Sequence, residues 1–201
     1  MSDYAARILA AYDAPARSAQ ASRGLPVEGV SLELAELVTQ VALAVEADPG
    51  FLADLINYET AGTWSPAIQN PNSSATGLIQ FIESTAGRLG TTTAALAGMT
   101  AVQQMAFVHI YFDAVYQTHG PLSAESDLYM AVFYPAAIGK GLDYAFGAAV
   151  TAVNASNTTR DYVEAVRRKS QLGRLLLSST GSGAQLAGLG VLLLAAVAVS
   201  V

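Results

Sequence analysis

The chain has 201 residues, 52% of them hydrophobic and 13% charged, with a formal net charge of −6 and no cysteine. That length holds one domain of ordinary size plus an appendage. The acidic balance speaks against a nucleic-acid partner, which asks for a basic stripe, and the missing thiols exclude disulfide staples and thiolate metal sites.

Residues 1–24 read as an Ala-rich helix running into a loop at Arg23-Gly24-Leu25-Pro26. Its apolar stretch is short, broken by Asp13 and without a basic region before it, so it is not expected to act as a secretory signal. Ser31 suits an N-cap with Glu33 in the first turn, and Leu34, Leu37, Val38, Val41, Ala42 and Val45 then recur at helical spacing. Asp48-Pro49 restarts the chain as N-cap and first-turn proline. The next helix carries Leu52, Leu55, Ile56 and Glu59 on one face and stops near Gly62.

A loop rich in Pro, Asn and Ser, TWSPAIQNPNSSAT, fills the interval to Gly77, and loops of that length inside a compact domain tend to be functional. A short helix is expected from Leu78. Thr100 and Gln103 form a capping box that opens a helix through Tyr116, and Ser123 is expected to cap another reaching Tyr134-Pro135. Arg160–Leu172 reads as a last amphipathic helix. Strand signals are nearly absent, so the fold class is mainly α.

No Asp, Glu, Lys or Arg occurs after Arg174, and residues 175–201 form a hydrophobic segment split by SSTGSG. Its most apolar part, Leu186–Val201, is sixteen residues long. At about 1.5 Å per residue it covers roughly 24 Å, short of a ~30 Å hydrocarbon core unless Leu175–Leu177 are included. Five of the ten basic residues, Arg160, Arg167, Arg168, Lys169 and Arg174, precede it, as on the cytoplasmic flank of a membrane span. A membrane anchor is therefore expected, with a buried helix in a large assembly as the alternative.

Glycan cleavage needs a carboxylic acid that keeps its proton near neutral pH, and an apolar surrounding supplies that. Glu59 stands where the series 52, 55, 56 calls for a hydrophobe, at a helix end beside a long polar loop; the bland alternative is the solvent edge of an amphipathic helix. No second acid has a comparable context. Glu83 is expected to face solvent, and Asp54 and Asp127 to be first-turn or surface acids. His109 lies in register with Val102, Met105, Ala106 and Phe112, as a core or groove residue, and no His/Asp/Glu spacing suits a metal.

The runs Tyr58-Glu59-Thr60-Ala61-Gly62-Thr63-Trp64-Ser65-Pro66 and Ala75-Thr76-Gly77-Leu78-Ile79-Gln80-Phe81 resemble two leading motifs of the lytic transglycosylase family, related to goose-type lysozyme. Phe133-Tyr134-Pro135-Ala136-Ala137 stands where that family has Ala-Tyr-Asn-Ala-Gly. The resemblance spans roughly residues 50–170 and is nearest to phage-encoded members. It implies a lysozyme-like helical domain over residues 31–174, preceded by an extension at 1–30 and followed by the anchor at 175–201.

The resemblance further implies that Glu59 is the catalytic acid/base. Thr60, Trp64, Gly77, Gln80 and Tyr134 would line the substrate. Gly77 would let the backbone approach a sugar, and Gln80 would bind an N-acetyl group or hold its loop. Tyr134 would hydrogen-bond Glu59 or find a backbone partner, and Trp64 would stack on a sugar ring or wall off the acid. Thr60 departs mildly from the family's serine; Pro135 departs more, losing the asparagine amide and its N–H.

The activity implied is cleavage of the β-1,4 bond between N-acetylmuramic acid and N-acetylglucosamine by one acid, without metal or cofactor, giving an anhydro product unless water competes. The partners implied are peptidoglycan strands, a membrane through the C-terminal segment and other virion proteins, with no nucleic acid. The location implied is a phage particle that delivers the enzyme to the host envelope. The alternatives are a structural virion membrane or ejection-conduit protein with a glycan-binding or inactive domain, a tail-anchored endolysin, or a bacterial wall-remodelling enzyme.

Overall fold

The computed structural model describes residues 30–152 and 154–170. The expected Ala-rich N-terminal helix and the hydrophobic segment 175–201 lie outside these residues. Among the described residues there are eight α-helices and one 3-10 helix, and β structure is limited to isolated bridges. In chain order the helices are α1 (Leu32–Ala44), α2 (Pro49–Glu59), α3 (Glu83–Arg88), α4 (Thr93–Ala97), α5 (Ala101–His119), α6 (Glu125–Phe133), the 3-10 turn Pro135–Ala137, α7 (Ala148–Thr151) and α8 (Thr159–Lys169). No described helix is long and apolar enough to cross a membrane.

Most helix starts follow local chemistry. The Ser31 hydroxyl accepts the Leu34 N–H at 3.1 Å, and the Asp48 carboxylate accepts the Gly50 N–H at 2.7 Å with Pro49 in the first turn. Thr100 and Gln103 close a reciprocal capping box, and Thr158 with Asp161 closes a second on α8. Two expected starts move. Helix α6 begins after Ala124 with no side-chain cap, not at Ser123, and its first turn carries the acidic residues Glu125 and Asp127, whose charge suits a helix N-terminus. Leu78 begins no helix, because residues 76–81 close a tight turn and α3 starts only at Glu83.

Helix α1 packs on α2 and α5, and α2 in turn packs on α6 and α8. The core gathers Leu34, Val38 and Val41 from α1, Leu52, Leu55 and Ile56 from α2, Met105, Val108 and Phe112 from α5, and Leu128, Tyr129 and Met130 from α6. Full burial of each aliphatic side chain contributes about 1.5–3 kcal/mol relative to exposure. The consequence for the site is that α2 is held on two sides while its C-terminal end, Glu59, meets α8.

Candidate active site

Helix α2 ends at Glu59 because the next residues cannot continue it. Ala61 and Gly62 adopt φ of 49° and 81°, and the Gly62 N–H reaches back to the Asn57 carbonyl at 2.8 Å. The Thr60 hydroxyl donates to the Ile56 carbonyl at 2.7 Å and accepts the Trp64 N–H at 3.1 Å. Trp64, 1% exposed, donates its indole N–H to the Asn57 side-chain oxygen at 3.0 Å. Asn57, Thr60 and Trp64 thus form a buried knot that fixes the end of α2.

Glu59 itself is half-buried, and the hydroxyl of Tyr162 donates to its Oε1. Tyr162 comes from α8 and is 4% exposed. Its ring stacks on Phe133 with centroids 4.2 Å apart and meets Tyr58 edge-on at 5.5 Å, so two aromatic side chains set its position. Burial raises the Glu59 carboxyl above the ordinary glutamate range, and the Tyr162 hydrogen bond opposes that rise in part. Burial first, and then the Glu59 charge, pushes the Tyr162 hydroxyl well above its ordinary value, so it remains a proton donor to Glu59 across neutral pH. A carboxyl held this way can give up a proton and be stabilised as the anion by the same hydroxyl.

The tyrosine expected against Glu59 was Tyr134, and the structure places it elsewhere. Tyr134 caps the C-terminus of α6, is half-buried and turns its ring edge-on to Phe146 at 5.6 Å. Its carbonyl accepts the Ala137 N–H at 2.8 Å. Pro135, the departure from the family motif, opens the 3-10 turn, where a missing N–H leaves no hydrogen bond unmade. Sequence reading missed Tyr162. Its signal was a tyrosine on the apolar face of a basic helix with Val163 and Val166, which resembles ordinary core.

Other expected ligands make contacts within the scaffold. Trp64 is buried, so its face is not free to stack on a sugar. Thr60 is fully buried, with its hydroxyl committed to backbone on both sides. Gly77 has φ of +82°, and a Cβ there would lie 2.2 Å from Gln104 Oε1, so its missing side chain accommodates Gln104 rather than a sugar. Gln104 was also missed. Buried on α5, its Oε1 accepts the Leu78 N–H at 2.6 Å and its Nε2 donates to the carbonyls of Pro66 at 3.1 Å and Leu96 at 3.0 Å, tying the loop to the turn.

Gln80 remains half-buried in that turn at φ +53°, with Nε2 donating to the Gly77 carbonyl at 3.1 Å. Its loop-holding role is the one observed, and its side-chain oxygen is not engaged by any described residue. The other acids are structurally committed. Glu83 accepts from the Thr93 N–H and hydroxyl, Asp54 from the Ser170 hydroxyl at 2.7 Å, and Asp127 from the Gly139 N–H at 2.9 Å. His109 is depressed by burial, with Asp113 opposing. Among the described residues no group of three or more His, Asp and Glu could hold a metal ion. A concavity of about 430 Å³ opens between α3 and α5 and reaches Pro135, beside Tyr134 rather than over Glu59.

Compared with protein-family models, curated proteins and solved structures, the chain has no match.

Proposed function

We propose that the chain is a peptidoglycan lytic transglycosylase in which Glu59 is the single acid/base. The observation that carries the reading is a half-buried carboxyl, raised by burial, at a helix end and gripped by the hydroxyl of Tyr162. No second carboxylate contributes to the shift of Glu59, which favours one acid over the paired carboxylates of ordinary glycosidases.

In this reading protonated Glu59 gives its proton to the oxygen linking N-acetylmuramic acid to N-acetylglucosamine, and the C1–O bond breaks. The muramyl acetamido oxygen bonds to C1 and carries the positive charge. The Glu59 carboxylate, stabilised by Tyr162, then takes the proton of the muramyl 6-hydroxyl. O6 bonds to C1 as the acetamido oxygen leaves, giving a 1,6-anhydro end and regenerating protonated Glu59. No water is consumed.

The same reading extends to location. Residues 175–201 tether the enzyme to a membrane, and a phage particle carries it to the host wall for genome delivery; the uncharged tail and the basic residues before it support this. The deciding experiment is Glu59→Gln assayed on purified peptidoglycan. Clearing is expected to fall by about 10²–10⁴-fold, the usual worth of a general acid/base. Persisting clearing would remove Glu59 from the chemistry, and no clearing by the wild type would leave a glycan-binding structural protein. Mass spectrometry separates anhydromuramyl from reducing ends, and deletion of 175–201 should abolish sedimentation with lipid vesicles.

A further inference from the structure

A concavity lies between α3 and α5, apart from Glu59. Its volume of about 430 Å³ falls in the range of small-ligand sites. Leu89, Ile110 and Val115 give it an apolar floor, and Arg88 stands on its rim. One Arg88 N–H is spent on the Thr85 hydroxyl at 3.1 Å, which fixes the guanidinium to α3. No described carboxylate pairs with Arg88: the ion pairs are made by Arg160, Arg167 and Arg168. In a chain of net charge −6, a cation left unpaired beside an apolar floor suits an external carboxylate with a small hydrophobic neighbour.

Position narrows the ligand further. Pro135 lines the concavity, and Phe133, two residues earlier, stacks on the Tyr162 ring that holds Glu59. One end of the concavity is therefore close along the chain to the elements that hold the acid. Peptidoglycan carries a short peptide on every muramyl residue, beginning with an alanine methyl followed by a glutamate carboxylate.

We propose that this concavity binds the acidic stem peptide of peptidoglycan, with Arg88 taking the glutamate carboxylate and the floor of Leu89, Ile110 and Val115 taking the alanine. The choice of peptide rests on the peptidoglycan reading; the anion site itself does not depend on Glu59. It makes Arg88 a specificity residue that favours peptide-bearing glycan over bare strands.

The test uses the full chain in detergent, titrated calorimetrically with the free peptide L-Ala-γ-D-Glu-L-Lys. Arg88 is exposed, so Arg88→Gln should fold normally, and it is expected to weaken binding about tenfold or more. Glu59→Gln should leave peptide binding unchanged. Cleavage of peptide-bearing strands should fall in Arg88→Gln while cleavage of amidase-stripped strands stays at the wild-type rate. No binding by the wild type, or equal binding by Arg88→Gln, overturns the proposal. Peptide binding without any glycan cleavage would refute the catalytic reading and keep this site; cleavage without peptide binding would do the reverse.

Discussion

The two sides of Glu59 are built by different means. On one side Asn57, Thr60, Trp64, Gly77 and Gln80 lie within a short stretch of chain and are joined by turn and cap hydrogen bonds, most of them local. On the other side Tyr162 arrives from α8 and is positioned by aromatic packing against Phe133 and Tyr58. The local side carries most of the motif resemblance yet mainly supplies rigidity. The distant side carries the hydrogen bond to the carboxyl of the acid, which opposes in part the rise that burial causes.

Perturbing the local side should cost stability. Gly77→Ala forces a Cβ into the Gln104 carboxamide and keeps φ of +82°, threatening the three hydrogen bonds of that carboxamide. It should cost about 3 kcal/mol, read as a Tm lowered by roughly 6–12 °C. A variant as stable as the wild type would mean that Gln104 does not hold the turn. Trp64→Phe leaves the Asn57 oxygen buried without its donor and should cost about 2 kcal/mol by denaturant titration. If the indole served a sugar instead, KM would rise and stability would hold.

Perturbing the distant side should change chemistry more than stability. Tyr162→Phe removes the hydroxyl that stabilises ionised Glu59, and kcat should fall by about tenfold. The bond lowers the Glu59 pKa, so its loss raises that pKa further, and the high-pH fall of kcat should move to higher pH. Tyr134→Phe should leave that limb in place; a shift there would restore Tyr134 as the partner of Glu59.

The smallest effect is a gain. Because the folded value of Glu59 lies above 4.5, its contribution to stability is fully present below that pH and is lost as pH rises through the folded value. Glu59→Gln should therefore match the wild-type Tm in acid and equal or exceed it at neutral pH. A Tm that fell at neutral pH and held in acid would show that the ionised carboxylate supports the fold.

Several features were legible from residues alone because their causes are local. Helical periodicity in 34–45, the Asp48-Pro49 start and the Thr100–Gln103 capping box each depend on neighbours a few positions apart, and all three stand in the structure. The position of Glu59 at a helix end was legible for the same reason. The start of α3 was not, since nothing in Leu78-Ile79-Gln80 announces that Gln80 takes φ of +53° to close the turn.

What only the tertiary structure decided is which groups meet. A buried tryptophan and a sugar-stacking one have the same sequence surroundings, and Tyr134 and Tyr162 are both tyrosines beside aromatic residues. Gln104 on α5 looks like a surface amide until the loop carbonyl of Pro66 and the Leu78 N–H arrive to satisfy it. Such choices depend on contacts between residues far apart in the chain. Local pattern constrains the backbone of each segment, while burial and hydrogen-bond pairing across segments belong to the packed whole.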